Sequence, residues 1–429
     1  MRQQYDSYKP SGIDWIGDIP SHWNIVRLAH IFNAKAGGDA KPELYSDTKD
    51  AQHPFPVFTN SLLEKQVYAY TSSPTFQSGS ITVTGRGEIG HAFLRDTDFD
   101  AIIRLLVLTP RIGLCCKYFT YFIDGVMEFF SDSAAVSQLS AQQINKELVI
   151  IPPLAEQEAI AAWLDEKSGK IDAAIAKVDR EIELIDELKQ SEISRVVTRG
   201  LNPDAPLRPS GIDWIGDIPA HWRISPIKHI CRSEKYSIKT GPFGSQLKGE
   251  DLKEEGDVRV YNQRNVIDND FSEVSNYVTA TKAKDLESFY TLPNDLLVTS
   301  RGTIGKSAIL PVDVDMGILH PCLIALRIDE SKANLNWVQI WINESDAFSK
   351  DIEAKSNATT IDVIYTETIK NIRIALPPLS EQQEIADYLD KKCAEIDGLK
   401  AKLTKKRETL TELRQSIISE VVTGKRKVI

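Results

Sequence analysis

The sequence predicts a mixed α/β (α+β) protein in which two globular domains are separated by two long antiparallel coiled-coil helices, with an internal pseudo-two-fold duplication. Two long helical segments repeat one pattern, at residues 151–200 and 376–425. A short motif near the N-terminus recurs in the middle of the chain. The segments between these repeats, residues 24–150 and 223–375, have largely lost any similarity to each other. Two nearly equal frameworks with divergent inserts indicate one task performed on two different targets.

The composition limits the class of protein. The 429 residues are 42% hydrophobic and 26% charged, as in soluble globular proteins of two or three domains. We find no run of about 18 apolar residues and no export signal in residues 1–20, so the expected place is the cytoplasm, without a membrane. An odd number of cysteines without metal-ligand spacing argues against a disulfide framework and against a metal site: Cys115, Cys116, Cys231, Cys322 and Cys393.

The short repeat reads SGIDWIGDIPSHW at residues 11–23 and SGIDWIGDIPAHW at residues 210–222. Twelve of its thirteen positions are identical, which indicates an internal duplication. Its small residues and proline predict an irregular docking segment. Two interpretations remain open, a cap on a hydrophobic core or a surface for a shared partner. On the second, the partner contacts are the four tryptophans Trp15, Trp23, Trp214 and Trp222.

Each long segment begins with Pro-Pro, which a helix interior does not accept, and continues as helix. Apolar residues then recur at spacings of three and four, as in a coiled coil. Residues 151–200 have a net charge of −4 (7 basic, 11 acidic) and residues 376–429 one of +2 (11 basic, 9 acidic), which favours pairing the two helices with each other. The predicted seam residues are Ile171, Ile175, Val178, Ile182 and Ile185 in the first helix and Ile396, Leu399, Leu403, Leu410, Leu413 and Ile417 in the second. Seven of them are also predicted partner contacts: Ile171, Ile175, Val178, Ile182, Leu403, Leu410 and Ile417.

One similarity survives between the divergent segments. Residues 81–90 read ITVTGRGEIG and residues 296–305 read LLVTSRGTIG. Each predicts a strand followed by a tight glycine turn that carries Arg86 or Arg301. The match to a dinucleotide-binding fingerprint or a phosphate-binding loop is incomplete, because Ser300 replaces one required glycine and no helical pattern follows. An arginine at such a turn can instead reach a phosphate or a guanine edge.

Further candidate nucleic-acid contacts lie in the second divergent segment. A Gly-Pro loop at residues 239–248 has lysines at both ends, and residues 258–265 end in side chains with the donors and acceptors that base edges require. No constellation of catalytic residues is found, so we predict no catalytic site. The predicted DNA contacts are Arg86, Lys239, Ser245, Gln246, Lys248, Asn262, Gln263, Arg264, Arg301 and Lys306.

The order of short repeat, divergent segment and PPL-x-EQ-x-x-I helix, taken twice, resembles the DNA specificity subunits of type I restriction-modification systems. The resemblance covers essentially the whole chain, from SGIDWIGDIPSHW at residue 11 to VVTGK at residue 421, and includes GPFGSQLK at residue 241 and TSRGTIGK at residue 299. It implies two target recognition domains that each read one half of a bipartite site in double-stranded DNA. The implied domains are residues 1–150 (first docking segment and recognition domain), 151–200 (first helix), 201–375 (second docking segment and recognition domain) and 376–429 (second helix and tail).

The resemblance also implies the partners and cofactors. Two modification subunits would methylate adenine N6 from S-adenosylmethionine, and restriction subunits would act with ATP and Mg²⁺. This chain itself would bind no cofactor and would not be an enzyme. A helix over residues 168–198 is roughly 45 Å long and could act as a spacer between the two half-sites.

The charge of the chain is unusual for DNA binding. The net charge is −10, and residues 24–150 and 223–375 sum to −2 and −3. We therefore expect a small basic groove around Arg86, Arg301 and Lys306, with the partner subunits holding most of the DNA backbone. Two alternatives stay open: a duplicated nucleotide-binding enzyme that uses the glycine turns, and a coiled-coil scaffold that joins proteins without touching DNA.

Overall fold

The computed structural model describes residues 4–102, 104–129, 138–355 and 363–428. The chain forms two compact units. Unit 1 comprises Met1–Arg180 and Leu403–Ile429, and unit 2 comprises Glu181–Lys402. The division passes through both long helices, so that each unit contains one divergent segment together with a part of each helix.

Unit 1 is built from short strands and three short helices before the first long helix. The strands are β1 (Tyr8–Pro10), β2 (Asp18–Pro20), β3 (Asn24–Arg27), β4 (Phe32–Ala36), β5 (Tyr45–Ser46), β6 (Phe55–Phe58), β7 (Ala69–Thr71), β8 (Ile81–Val83), β9 (Ala92–Leu94), β10 (Asp100–Ala101), β11 (Leu106–Pro110) and β12 (Leu148–Ile151). The helices are α1 (Leu28–Ile31), α2 (Cys116–Val126), α3 (Ala141–Ile144) and the long α4 (Leu154–Arg199).

Two four-stranded sheets form the divergent segment of unit 1, in the orders β4-β11-β8-β9 and β10-β6-β7-β5. Helix α2 packs through Tyr118, Phe119 and Phe122, which are fully buried in the same core as Ile81 and Val83 of β8. The short pair β12-β3 joins the end of the divergent segment to its beginning. Both ends of the segment therefore leave the domain side by side, next to the start of α4.

Unit 2 repeats this arrangement. Its strands are β13 (Leu207–Pro209), β14 (Asp217–Pro219), β15 (Arg223–Pro226), β16 (Ile238–Thr240), β17 (Val258–Tyr261), β18 (Tyr277–Val278), β19 (Leu296–Thr299), β20 (Ser307–Ile309), β21 (Ile318–Leu319), β22 (Leu323–Leu326) and β23 (Arg373–Leu376). Its helices are α5 (Gln263–Asp268), α6 (Ala280–Asp285), α7 (Leu335–Glu344), α8 (Asp346–Lys355), α9 (Thr366–Lys370) and the long α10 (Leu379–Val422).

The sheets of unit 2 have the order β16-β22-β19-β20 and β18-β17-β21, and β15 pairs with β23. The sheet β16-β22-β19-β20 matches β4-β11-β8-β9 strand for strand. The sheet β18-β17-β21 matches β7-β6-β10, including the parallel pairs β6-β10 and β17-β21, and β5 at the edge of the unit 1 sheet has no counterpart among the described strands of unit 2. The two divergent segments therefore share one topology although their sequences differ. The predicted mixed fold, long helices and internal duplication are confirmed.

The long helices pair with each other within each unit. In unit 1, Arg414 Nε donates to Asp172 Oδ1 at 2.8 Å and Arg407 Nε to Asp179 Oδ1 at 2.6 Å. A step of seven residues along α4 thus matches a step of seven residues backwards along α10. The helices are antiparallel there, and the opposite charges that favoured their pairing are in direct contact.

Unit 2 continues the same kind of contact. Lys400 Nζ lies 2.7 Å from Asp186 Oδ1, and Lys189 Nζ lies 2.8 Å from Asp397 Oδ1. The sign of the charge on each helix is reversed at this last pair. Each of these pairs is partly exposed and contributes about 0.2–1 kcal/mol, so they fix the register more than they stabilise the fold.

The predicted seam needs one correction, at Leu399 and Leu413. Their side chains are 50% and 46% exposed. The apolar seam of α10 instead uses every seventh residue, starting at Ile396. Four residues after a seam position lie Lys400, Arg407 and Arg414, whose side chains reach α4. Each of the two leucines lies one residue before such a position and is rotated towards solvent. The apolar seam positions of α10 are Ile396, Leu403, Leu410 and Ile417, buried or half-buried like Ile171, Ile175, Val178, Ile182 and Ile185 of α4.

Two glycines interrupt the long helices without a packing reason, Gly169 in α4 and Gly398 in α10. A Cβ at either would meet nothing within 4 Å. We expect Gly169→Ala and Gly398→Ala each to raise the free energy of unfolding by about 1 kcal/mol, because alanine loses less conformational entropy in a helix. Urea unfolding followed by circular dichroism would measure it.

Gly424 supplies the opposite control for these variants. It has φ +75°, and a Cβ there would collide with Pro20 and lie 3.0 Å from Trp23. Gly424→Ala should therefore destabilise unit 1. Equal effects at all three glycines would contradict this account.

Within the residues that the structure describes, no helix is long and apolar enough to cross a membrane. The same residues contain no group of three or more His, Cys, Asp or Glu side chains placed to hold a metal ion.

Candidate nucleic-acid interface

The first docking segment is fixed to the start of α4 by one carboxylate. His22 Nε2 lies 2.6 Å from Glu156 Oε1, and Trp23 Nε1 donates to Glu156 Oε2 at 2.9 Å. The next residue, Gln157, is 1% exposed, and its amide donates to the carbonyl of Pro152 at 2.8 Å. The PPL-x-EQ motif therefore closes its own helix start with the glutamine and binds the docking segment with the glutamate.

Unit 2 has the same contacts. His221 Nε2 lies 2.8 Å from Glu381 Oε2, and Trp222 Nε1 donates to that oxygen at 3.1 Å. Gln382 again donates to the carbonyl of Pro377, at 2.9 Å. The duplication in sequence is thus a duplication of contacts. Each docking segment with the start of its long helix forms what we call the framework, and each divergent segment is joined to an equivalent framework.

These contacts decide which tryptophans can meet a partner. Trp23 and Trp222 are 0% and 1% exposed, so the prediction that they contact a partner directly is wrong. Their indole rings fill the core of the framework. Trp15 is 46% exposed, and the corresponding Trp214 is half-buried with the Arg373 guanidinium over its ring. Partner contact stays a prediction for these two.

The seam residues were also predicted as partner contacts. Val178 is 1% exposed and cannot contact another molecule directly. The others lie on the face that one long helix turns towards the other within each unit, and they are half-buried: Ile171, Ile175, Ile182, Leu403, Leu410 and Ile417.

The turn that carries Arg86 is held in an open shape by side-chain contacts. Thr84 Oγ1 accepts from the backbone N–H of His91 at 3.0 Å, which closes the β8–β9 hairpin. Asn60 lies beneath the turn: its Oδ1 accepts from Gly85 N at 2.7 Å, and its Nδ2 donates to the Arg86 carbonyl at 2.5 Å. The Arg86 side chain is exposed. The prediction of a hairpin turn with an arginine at its tip is confirmed.

The turn that carries Arg301 repeats the threonine contact and has a single, longer amide contact. Thr299 Oγ1 accepts from Lys306 N at 2.9 Å, and Gln263 Nε2 donates to the Thr303 carbonyl at 3.5 Å. Gln263 stands at the position of Asn60, two residues after the end of its strand. Arg301 and Lys306 are exposed, and neither forms an ion pair with any residue that the structure describes. Both cations are therefore available to an anionic ligand.

A Gly-Pro loop lies beside this second turn. A Cβ at Gly241 would collide with the backbone of His320, so only glycine fits next to the end of β21 there. Gly37 has the same role in unit 1, against the backbone of Ala101. Beyond Gly241 the loop places Phe243 at its tip, with 70% of the side chain exposed.

The prediction that Lys239 contacts DNA is wrong. Its side chain is 7% exposed, and its Nζ donates to the carbonyls of Ser288 (3.1 Å) and Tyr290 (2.5 Å). It alternates to the inner face of β16, where burial lowers the pKa of the ammonium to about 8. Lys239 is therefore a structural residue that holds the loop before β19.

The shifted pKa of Lys239 predicts a pH dependence. Between the lowered folded pKa of about 8 and the ordinary value near 10.5, the unfolded chain binds more protons than the folded one. The cost of burying the charge is therefore fully present below pH 8 and decreases as the pH rises to 10.5. In Lys239→Met this cost is absent at every pH. The difference in urea midpoint between wild type and variant should change between pH 7.5 and pH 10; a constant difference would contradict the burial of a charged lysine.

The other predicted DNA contacts of unit 2 fall into two groups. Asn262 is half-buried and caps α5: its Oδ1 accepts from Arg264 N at 2.9 Å and its Nδ2 donates to Ser275 Oγ. Its amide is thus already used within the chain. The second group is exposed and comprises Ser245, Gln246, Lys248 and Arg264. Three of these side chains also have contacts within the chain: Arg264 pairs with Asp268, Lys248 pairs with Glu250, and Gln246 accepts from Phe243 N.

Comparison with known proteins gives the family. The model of the type I restriction modification DNA specificity domain matches this chain twice, at residues 20–184 and 219–406. Together the two matches cover most of the chain and coincide with its two recognition segments and the greater part of each long helix. This chain belongs to the type I restriction-modification DNA specificity family.

Individual relatives are distant. The type I restriction enzyme EcoBI specificity subunit of Escherichia coli is 22% identical over 320 residues, 72% of this chain and 65% of the relative's own length. A putative type I restriction enzyme MjaX specificity subunit of Methanocaldococcus jannaschii is 25% identical over 333 residues, 76% of this chain and 72% of its own. A solved structure from work on complex assembly and conformational transition of the type I R-M system has a TM-score of 0.67 to this chain at 16% identity. The match covers 94% of this chain and 98% of that one. That structural likeness concerns the fold.

Sequence reasoning missed several residues of this family member's candidate interface. Asn60 was overlooked because the equivalent position in unit 2 is a glutamine, Gln263. Only the structure shows that each of these side-chain amides contacts the arginine turn of its own unit. Phe243 was hidden inside a loop chosen for its lysines. Tyr365, 65% exposed, follows a segment with no pattern of its own.

Proposed function

We propose that this chain is the DNA specificity subunit of a type I restriction-modification complex in the cytoplasm, reading a bipartite site with one half assigned to each recognition domain. One observation carries the proposal: the same arginine turn, supported by the same kind of amide contact, stands on two equal frameworks while the surrounding surface differs. Equal frameworks suit identical partners, and different surfaces suit different half-sites.

The partners are those that the family implies, and the two equivalent frameworks support two copies of one of them. Two modification subunits would each dock on one framework, with Trp15 and Trp214 as contact residues. They would methylate adenine N6 and would hold S-adenosylmethionine. Restriction subunits with ATP and Mg²⁺ would join that core. The chain itself would supply recognition and positioning and no catalytic group.

Methylome sequencing of DNA exposed to this chain with its modification subunit tests the proposal. We expect N6-methyladenine at a split motif with a fixed spacer, absent when the modification subunit acts alone. Exchanging residues 24–150 for another recognition domain should alter one half of the motif and leave the other unchanged. A stable complex that methylates no motif would favour the scaffold interpretation instead.

The charge of the chain gives a further prediction. With a net charge of −10 and few unpaired cations at the turns, the isolated chain should bind its own site weakly, and the complex with modification subunits should bind it strongly. Electrophoretic titration at one fixed salt concentration would compare the two. Nanomolar, sequence-selective binding by the isolated chain would overturn this division of labour.

A further inference from the structure

Unit 2 contains a cleft of about 300 Å³ between the Gly241–Gly244 loop and the Arg301 turn. This volume lies at the lower end of the range for small-molecule sites, roughly 300–1,000 Å³. It offers room for one flat ring system and excludes an inserted helix. The cleft is therefore unlike the broad basic surface that a DNA backbone requires.

The groups that line the cleft suit a flat ring with polar edges. Phe243 and Tyr365 are 70% and 65% exposed, and aromatic side chains of this kind stack on the faces of bases. Ser300 also lines the cleft, is 1% exposed, and its Oγ has no hydrogen-bond partner among the described residues. An unpaired buried hydroxyl is unfavourable, and a ligand edge would satisfy it. The exposed Arg301 adds donors at the rim.

Unit 1 provides an internal comparison. Gly85 occupies the position of Ser300, and a Cβ there would lie 2.5 Å from the Arg104 carbonyl oxygen, so backbone fills the corresponding space. Ser140 stands where unit 2 has Tyr365, as the residue before the short helix. The hydroxyl at the turn and the aromatic before the helix thus belong to unit 2 and have no counterpart at these two positions of unit 1.

We infer that the cleft of unit 2 receives one unstacked base from the DNA half-site that this unit reads. Phe243 and Tyr365 contact the faces of that base, and Ser300 and Arg301 contact its edge. This inference rests on the proposed DNA recognition and adds to it that the two half-sites are read differently: unit 1 reads a stacked duplex, whereas unit 2 takes one base out of the stack.

The test uses the full chain in complex with its modification subunits, and duplexes carrying the methylated motif. In each duplex one base of the motif is kept, and the opposite base on the other strand is replaced by one that cannot pair with it. A mismatched base is already unpaired, so taking it out of the stack costs less free energy. A mismatch at one position of the unit 2 half-site should therefore tighten binding of the complex by about 10-fold or more, relative to the matched duplex. Mismatches opposite the adenines that the modification subunits methylate are left out of this comparison, because a methyltransferase also takes its target base out of the stack. Mismatches at the other positions, including those of the unit 1 half-site, should weaken binding.

Variants locate the effect in the cleft. Phe243→Ala and Tyr365→Ala should weaken binding to the matched duplex roughly 5- to 150-fold, the range for loss of a base–aromatic stack. Val312→Ala is the matched control, because Val312 is 70% exposed in the same unit and does not line the cleft. Ser300→Ala should leave thermal stability unchanged or higher while discrimination among the four bases at the tightened position falls.

The outcomes separate this inference from the proposed function. A wild-type complex with no sequence-specific DNA binding would refute the proposed function. Specific binding that no mismatch tightens, apart from those opposite the methylated adenines, would overturn the inference alone, even if Phe243→Ala weakened binding, because Phe243 would then contact a stacked duplex. Equal losses for Val312→Ala and Phe243→Ala would also overturn it.

Discussion

Arg86→Ala should relax one half of the methylated motif and leave the other half intact, and Arg301→Ala should do the reverse. Each arginine stands exposed at the tip of its turn, in a different unit. Removing an arginine that contacts a base costs about 1–3 kcal/mol, a loss of roughly 5- to 150-fold in discrimination. Methylome sequencing of each variant complex would show the relaxed positions, and each variant is the control for the other.

Lysine variants separate the two kinds of contact that an arginine can make. Arg301→Lys keeps the positive charge and loses the planar pair of donors. If Arg301 binds a phosphate, the lysine variant should retain most of the binding; if it reads a guanine, the lysine variant should resemble Arg301→Ala. Loss of both half-sites in Arg86→Ala would contradict the assignment of one half-site to each unit.

Trp23→Ala should lower the stability of unit 1 by about 3–5 kcal/mol. The indole is fully buried, and its Nε1 donates to Glu156, so the variant leaves a cavity and removes one partner of a half-buried carboxylate. Because the chain has two units, a method that follows individual segments is needed to assign the loss to unit 1. Hydrogen exchange followed by mass spectrometry would resolve the loss, with faster exchange in β1, β2 and the start of α4.

Trp15→Ala is the matched control in the same repeat. Its side chain is 46% exposed, so the substitution should change stability by less than about 1 kcal/mol. If Trp15 contacts a modification subunit, this variant should instead weaken assembly of the complex, measured by ultracentrifugation. A large loss of stability in Trp15→Ala, or none in Trp23→Ala, would contradict the burial seen here.

The framework could be predicted from the sequence because its residues occur in two nearly identical copies. Repeats fixed the long helices and the docking segments, and the three-four spacing of apolar residues gave the α4 seam. The α10 seam was partly wrong, since the spacing alone could not tell Leu399 from Lys400: a long basic side chain that reaches an aspartate can occupy a seam edge, while a leucine one residue earlier is left in solvent.

The candidate interface was harder to predict because, apart from the arginine turns, its contacts are not repeated between the two divergent segments. Lys239 is a lysine beside a glycine loop, which resembles a phosphate contact in sequence. Whether it faces outwards depends on the register of β16 against β22, a long-range pairing that no local pattern gives. For the same reason the cleft beside Ser300 is visible only once the loop, the turn and the segment before α9 are brought together.

The equal histidine, tryptophan and glutamate contacts of the two units also bear on how such a chain can change over generations. In unit 1 and in unit 2 the divergent segment enters and leaves through one antiparallel strand pair, β3 with β12 or β15 with β23. A segment exchanged at these borders by recombination between related genes would meet the same framework side chains and leave the core of the framework complete. Under the proposed function, target choice would be replaced in a single genetic event, without the gradual loss and repair that stepwise mutation of a buried core would require.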